Sequence, residues 1–272
     1  MVRPLRSMPG LAVQGDGRHE VARALPEETP VAIVMDGSTV AVMMTTPGDL
    51  EDFALGFALT EGLISSRSEV ADFEIVEHAA GIEARFWLTG DRSAALKARR
   101  RAMLGPVGCG LCGIDSLEQA LRPVPLVGAS ALRIAAGEVA RATDALRALQ
   151  PLHDQTRAVH AAGFLRPGAG VVLAREDVGR HNALDKLIGA MARAGTDPRC
   201  GAFVLTSRVS VEMVQKTAMA GCPVLIAVSA PTARALRIAE DAGITLAAFA
   251  RAGGFDLYAH PERITTGASD VA

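Results

Sequence analysis

The chain has 272 residues, 49% of them hydrophobic, and a formal net charge of −2. That is enough apolar material for one large or two modest globular domains, and the charge offers no overall field for nucleic acid or an anionic membrane. One Trp and one Tyr leave few rings for stacking on bases, and no apolar run is long enough to span a membrane.

Arg3 and Arg6 have no apolar stretch behind them, so no signal peptide is expected and the protein reads as cytoplasmic. Its four cysteines are then reduced and available for redox, sulfur or metal work rather than stapling.

Residues 1–28 carry Pro, Gly, Arg and Glu without periodicity and read as a flexible tail. Residues 31–35 and 40–44 flank Asp36-Gly37-Ser38 as a β-hairpin. Pro47-Gly48-Asp49 opens a helix with Leu50, Phe53, Ala54 and Phe57 at helical spacing, and Gly62 ends it. A second hairpin, 73–76 with 82–88, turns at Ala79-Ala80-Gly81, and 91–104 is helical. Residues 29–104 thus form a small α+β unit. A Gly-rich cysteine loop and linker follow at 105–130. A helix at 136–149 places Val139, Ala142, Leu146 and Leu149 on one side. From Gly170 onward, apolar runs at 171–174, 202–205, 224–228 and 245–249 alternate with helices at 180–194, 210–221 and 231–242. Runs this continuous belong to a sheet covered on both faces, so 131–272 is a layered α/β domain.

Two features carry chemistry. The first is Gly108-Cys109-Gly110-Leu111-Cys112-Gly113. Glycines around two thiols make a poor helix and a poor strand, and their bare N–H groups suit a thiolate, the reactive form. Lys97, Arg99, Arg100 and Arg101 precede it and either favour a thiolate or form a solvated helix face. Half of a zinc site is one alternative, but Cys200 and Cys222 form no second close pair. Zinc deaminase chemistry needs His-x-Glu upstream of the cysteines, whereas His260-Pro261-Glu262 lies downstream. A thiol–disulfide oxidoreductase is the stronger rival. No metal site is expected.

The second feature is that the apolar runs end in polar residues, and ligands of layered α/β sheets bind outside the carboxyl ends of strands. The ends read Arg175-Glu176-Asp177-Val178-Gly179-Arg180-His181-Asn182, Thr206-Ser207-Arg208, Ser229-Ala230-Pro231-Thr232 and Phe249-Ala250-Arg251-Ala252-Gly253-Gly254. Arginines, hydroxyls and helix N-termini together favour phosphates, although Ser, Thr and Asp there also serve as helix caps.

These motifs resemble the formate dehydrogenase accessory proteins of the FdhD type, sulfur carriers for the molybdenum cofactor. Five segments carry the likeness: PGDLEDFALGFALTEGLI from Pro47, GCGLCG from Gly108, REDVGRHNALDKLIG from Arg175, RVSVEMVQKTAMAG from Arg208 and VSAPTARALRIAEDAGITLAAFAR from Val228. The family often has Ser-Gly-Arg where this chain has Thr206-Ser207-Arg208, and Asn where it has Asp256.

The resemblance implies a cytidine-deaminase-like C-terminal domain that binds the cofactor. It also implies a sulfurtransferase reaction. A cysteine desulfurase passes sulfane sulfur to Cys109 as a persulfide, and the carrier delivers it to bis-molybdopterin guanine dinucleotide for a formate dehydrogenase apoenzyme. Cys112 assists acceptance or resolves the loaded state by forming a disulfide. Phe249, Ala250, Arg251, Ala252, Gly253 and Gly254 match the cofactor-contacting segment. Arg180, Lys186, Arg208 and Arg251 then meet phosphates, Phe249 meets the purine, and Asp177 or Asp185 reads the guanine edge, with His181, Ser207 and Ser229 nearby. Guanine nucleotides should act as ligand mimics; the chain is monomeric or a homodimer. A non-catalytic cofactor chaperone is the remaining alternative.

Overall fold

Residues 3–15, 17–94, 124–128 and 130–266 are described by a computed structural model. The first 28 residues correct one expectation. Strands β1 (Leu5–Gln14) and β2 (Gly17–Pro26) pair antiparallel as a ribbon, where a tail without regular structure was expected. The ribbon is exposed on both faces, so its sequence lacks the apolar alternation that marks a half-buried strand.

β3 (Thr29–Met35), β4 (Ser38–Thr45), β5 (Val70–His78) and β6 (Gly81–Leu88) form a four-stranded sheet in the order β4-β3-β6-β5. Helix α1 (Leu50–Thr60) lays Phe53, Ala54, Phe57 and Ala58 on the Val31, Ile33, Ala84 and Phe86 face of that sheet. Gly62, at φ 66°, follows the helix, as expected of a stop glycine. The helix expected at 91–104 falls largely outside the described residues, as do most of the linker and the whole of 108–113, with Cys109 and Cys112.

The second half begins with β7 (Ile134–Ala135), α2 (Ala136–Arg147) and α3 (Pro151–Thr156). Leu149, expected on the packed side of the helix, lies beyond its end and is 42% exposed. Then come β8 (His160–Arg166), β9 (Gly170–Asp177), α4 (Arg180–Ala194), β10 (Ala202–Leu205), α5 (Val211–Ala220), β11 (Val224–Ala227), α6 (Ala233–Asp241), β12 (Thr245–Arg251), β13 (Gly254–Ala259) and β14 (Ile264–Thr265). The α/β reading holds, with helices α4, α5 and α6 against one face of a six-stranded sheet and α2 against the other. Full burial of one Leu, Val or Ile in such layers stabilises by about 1.5–3 kcal/mol.

The strand order is β13-β12-β11-β10-β8-β9. β10, β11 and β12 run parallel, while β8 is antiparallel to both β9 and β10. The sequence reading missed β8 and β13. β8 is rich in small residues, and at Gly163 an added Cβ would stand 2.8 Å from Leu146 of α2, so the glycine lets that helix lie close. The consequence for function is directional. β9, β10, β11 and β12 all end at one rim of the sheet, and the first three run on into helix N-termini there. Among the described residues no helix is long and apolar enough to cross a membrane.

Candidate functional site

Backbone hydrogen bonds knit the rim loops together. Val228 N donates to Leu205 O at 3.0 Å, Val209 N to Ala230 O at 3.1 Å, Thr232 N to Val209 O at 3.0 Å and Phe249 N to Ser229 O at 3.4 Å. The Thr206 hydroxyl accepts from Ala161 N at 2.8 Å. Loops from three strands therefore share one framework.

Most of the polar segment that ends β9 faces inward, not toward the rim. Arg175 reaches Asp52 of α1 at 2.8 Å, and Glu176 accepts from Leu152 N and His153 N, each at 2.8 Å, capping α3. Asp177 is fully buried and accepts from the Thr45 hydroxyl, Thr46 N at 2.9 Å, Gly179 N at 2.8 Å and Asn182 Nδ2 at 3.0 Å. Lys186, 1% exposed, pairs with Asp177 at 2.7 Å and donates to Thr46 O at 2.9 Å. Asp185, also 1% exposed, holds the Thr60 hydroxyl at 2.8 Å and the Lys216 ammonium at 2.9 Å.

These geometries correct three expectations. Asp177 and Asp185 do not present a carboxylate to a guanine edge, and Lys186 has no ammonium free for a phosphate. Each is committed to a buried pair, because a charge taken out of water must be matched where it lies. They tie β4 and α1 to α4 and α5.

Arg180 and His181 remain at the rim, joined by Arg208 and Arg251, both exposed. None of the three guanidinium groups makes a hydrogen bond or ion pair with a described residue. Arg180 opens α4 and Arg208 lies three residues before α5, where backbone N–H groups and the helix dipole favour an anion, while Arg251 ends β12 at the same rim. Arg234, exposed in the first turn of α6, is a cation of the same rim that sequence reasoning passed over. Its signal was its place just after the Thr232 cap, where β11 gives way to a helix.

His181 is about 30% exposed by side chain, but its Nε2 is buried with no hydrogen-bond partner among the described residues. Glu212 stands 3.9 Å away. Burial, then the charges of Arg180 and Lys216, bring the ring's pKa down to about 4. The imidazole is neutral at pH 7. Burial and Arg180 also lower His160.

Ser207 is buried, and its hydroxyl donates to Arg208 O at 2.9 Å inside its own loop. Ser229 is half-buried and contributes its carbonyl, through the bond from Phe249. Phe249 has φ 52°, a left-handed backbone that a bulky side chain rarely adopts, and such strain clusters at functional sites. Ala252 and Gly253, at φ 52° and 76°, form the tight turn between β12 and β13, with Arg251 opposite Gly254. The six residues from Phe249 to Gly254 are thus a hairpin tip at the rim.

The remaining cysteines divide. Cys222 is buried, and desolvation pushes its thiol up to about 12, so it is an inert small hydrophobe. Cys200 is exposed at the end of a single 3₁₀ turn, Pro198–Cys200. No group of three or more His, Cys, Asp and Glu among the described residues is placed to hold a metal. A cavity of about 540 Å³ opens between α1 and β5, away from the rim, lined by Glu51, Leu55, Arg67 and Phe73 among others.

The FdhD/NarQ family profile matches residues 26–265. The chain is 54% identical over 242 residues to a protein named sulfur carrier protein FdhD from Agrobacterium fabrum, covering 89% of each. It is 51% identical to one of the same name from Bordetella bronchiseptica, over 88% of this chain and 86% of that one. Among solved structures, a putative formate dehydrogenase accessory protein from Desulfotalea psychrophila superposes with a TM-score of 0.76 at 25% identity. The match covers 96% of this chain and 99% of that one. The chain belongs to the FdhD/NarQ family.

Proposed function

We propose that this protein is a cytoplasmic sulfurtransferase that loads sulfane sulfur on Cys109. It then delivers that sulfur to the molybdenum of bis-molybdopterin guanine dinucleotide, its bound substrate, for use by formate dehydrogenase. What carries the reading is the rim itself: Arg180, Arg208 and Arg251, whose guanidinium groups have no partner among the described residues, and three helix N-termini near a strained Phe249 hairpin, in a chain whose relatives are named sulfur carriers. The arginines suit the phosphates of the dinucleotide arms, and Phe249 offers a ring face to a purine.

In loading, the Cys109 thiolate attacks the outer sulfur of a cysteine desulfurase persulfide. The new S–S bond forms as the donor's breaks, and the donor leaves as a thiolate. In delivery, Cys112 attacks the inner sulfur of Cys109. A Cys109–Cys112 disulfide forms, its two thiols supply two electrons, and the outer sulfur departs at the sulfide level.

The test is intact-mass analysis after incubation with a cysteine desulfurase and cysteine. Wild type should gain one sulfur, Cys109→Ala none, and Cys112→Ala should still load. A persulfide on Cys109→Ala at wild-type level rules out Cys109 as the carrier.

A further inference from the structure

Thr143 sits inside α2, on the sheet face opposite the helices that start at the rim, and is 6% exposed. A threonine inside a helix commonly bonds the carbonyl four residues back in its own helix. Here the hydroxyl crosses to the sheet and donates to Ala250 O at 2.6 Å.

Ala250 is fully buried and lies where β12 leaves its ladder. Ala248 pairs with Asp256 and Arg251 with Gly254, so Phe249 and Ala250 stand against the single residue Phe255 and the ladder is broken between them. A buried carbonyl outside a ladder needs a donor from elsewhere, and Thr143 supplies it. On the other flank, Phe249 N reaches Ser229 O at 3.4 Å, a longer tie. The irregularity matters because side chains alternate faces along a strand, so a bulge re-aims everything beyond it. A regular ladder through this stretch would remove the left-handed backbone at Phe249 and change how Arg251 meets the rim.

We infer that Thr143 is a positioning residue for the rim: its hydroxyl holds the Phe249–Ala250 bulge, and with it the backbone path that brings Phe249 and Arg251 to a guanine nucleotide. The inference rests on the nucleotide-binding reading above. It assigns a role to a helix packed on the sheet face opposite α4, α5 and α6.

Thr143→Val deletes the hydroxyl at nearly constant volume, and Thr143→Ser keeps it. Thr143→Ala is a second deletion, since alanine is well tolerated within a helix. In 13C-labelled protein, the Cα and Cβ chemical shifts of Phe249 distinguish left-handed from extended backbone without any ligand. Both deletions should move those shifts toward extended values and weaken GDP binding about tenfold, the loss of one well-made hydrogen bond. Thr143→Ser should keep both near wild type. Unchanged Phe249 shifts in the deletions overturn the inference, as do moved shifts with unchanged GDP affinity. Wild-type protein that binds no GDP overturns the nucleotide reading instead, while the shifts still decide whether Thr143 holds the bulge.

Discussion

His181 lies in the first turn of α4, and its ring has a buried nitrogen with no partner among the described residues. Its folded pKa of about 4 lies below the unfolded value of 6.5, so its contribution to stability is whole above pH 6.5 and is lost as pH falls toward 4. Asp185 acts in the opposite sense. Burial raises its carboxyl from 3.8 to about 6, so its contribution is whole below 3.8 and is lost as pH rises through 6. Comparing wild type with His181→Gln separates the two. Between pH 7 and 4.5 wild type should lose about 1–2 kcal/mol relative to the variant, after allowance for the ring's partial exposure. Thermal melts at both pH values measure it, and a gap that stays constant refutes it. Arg251→Ala should weaken GDP by about 1.5–3 kcal/mol if the guanidinium meets a phosphate, and calorimetry reads that directly. The arginines of the rim were legible because charge at a strand end before a helix has a known use. Asp177 and Lys186 were misread for the same reason: nine residues apart, nothing local to either shows that they meet each other in the interior.

Among the elements, the crossing of α1 over α4 is the tightest. A Cβ on Gly56 would stand 1.8 Å from Asp185 O, and one on Gly189 would stand 1.9 Å from Asp52 O. Each helix rests on the other's backbone, and only glycine at both positions permits it. Gly189→Ala should therefore destabilise by about 1–3 kcal/mol or more, although alanine is the better helix former, because the backbone must separate. Urea titration gives the number, and a stabilised variant would contradict the packing argument. Neither glycine looked special in sequence, since a glycine inside a helical pattern does not announce a neighbour. The helices and fully buried strands of the second half were legible because their periodicity reflects burial. β8 was not, since its Ala-Ala-Gly stretch serves closeness rather than bulk, and the exposed β1–β2 ribbon has no buried face to pattern it.

Across the molecule, three buried charge clusters join the first half to the second. Asp52 takes Arg175 and Arg193 at 2.8 and 2.7 Å, Asp177 takes Lys186 with Thr45 and Thr46, and Asp185 takes Lys216 with Thr60. Lys216 also pairs with Glu61 at 2.9 Å and lies 5.4 Å from the Phe57 ring centroid. Burial disfavours its charge, but Asp185 and Glu61 outweigh that and hold its pKa above the ordinary value. Such pairs add little net stability when whole, yet breaking one leaves a buried charge alone, at about 3–5 kcal/mol. The halves should consequently unfold as one unit. The single tryptophan, Trp87, lies in β6 and reports the first half, while far-UV circular dichroism reports the whole chain. In wild type the two urea transitions should coincide, the signature of a two-state system. Lys216→Met leaves the buried Asp185 carboxylate without its ammonium at the junction, so the Trp87 transition should move to lower urea and part from the dichroism curve. Two separate transitions already in wild type would mean that the junction does not couple the halves. The buried clusters would then only seat one folded unit on another.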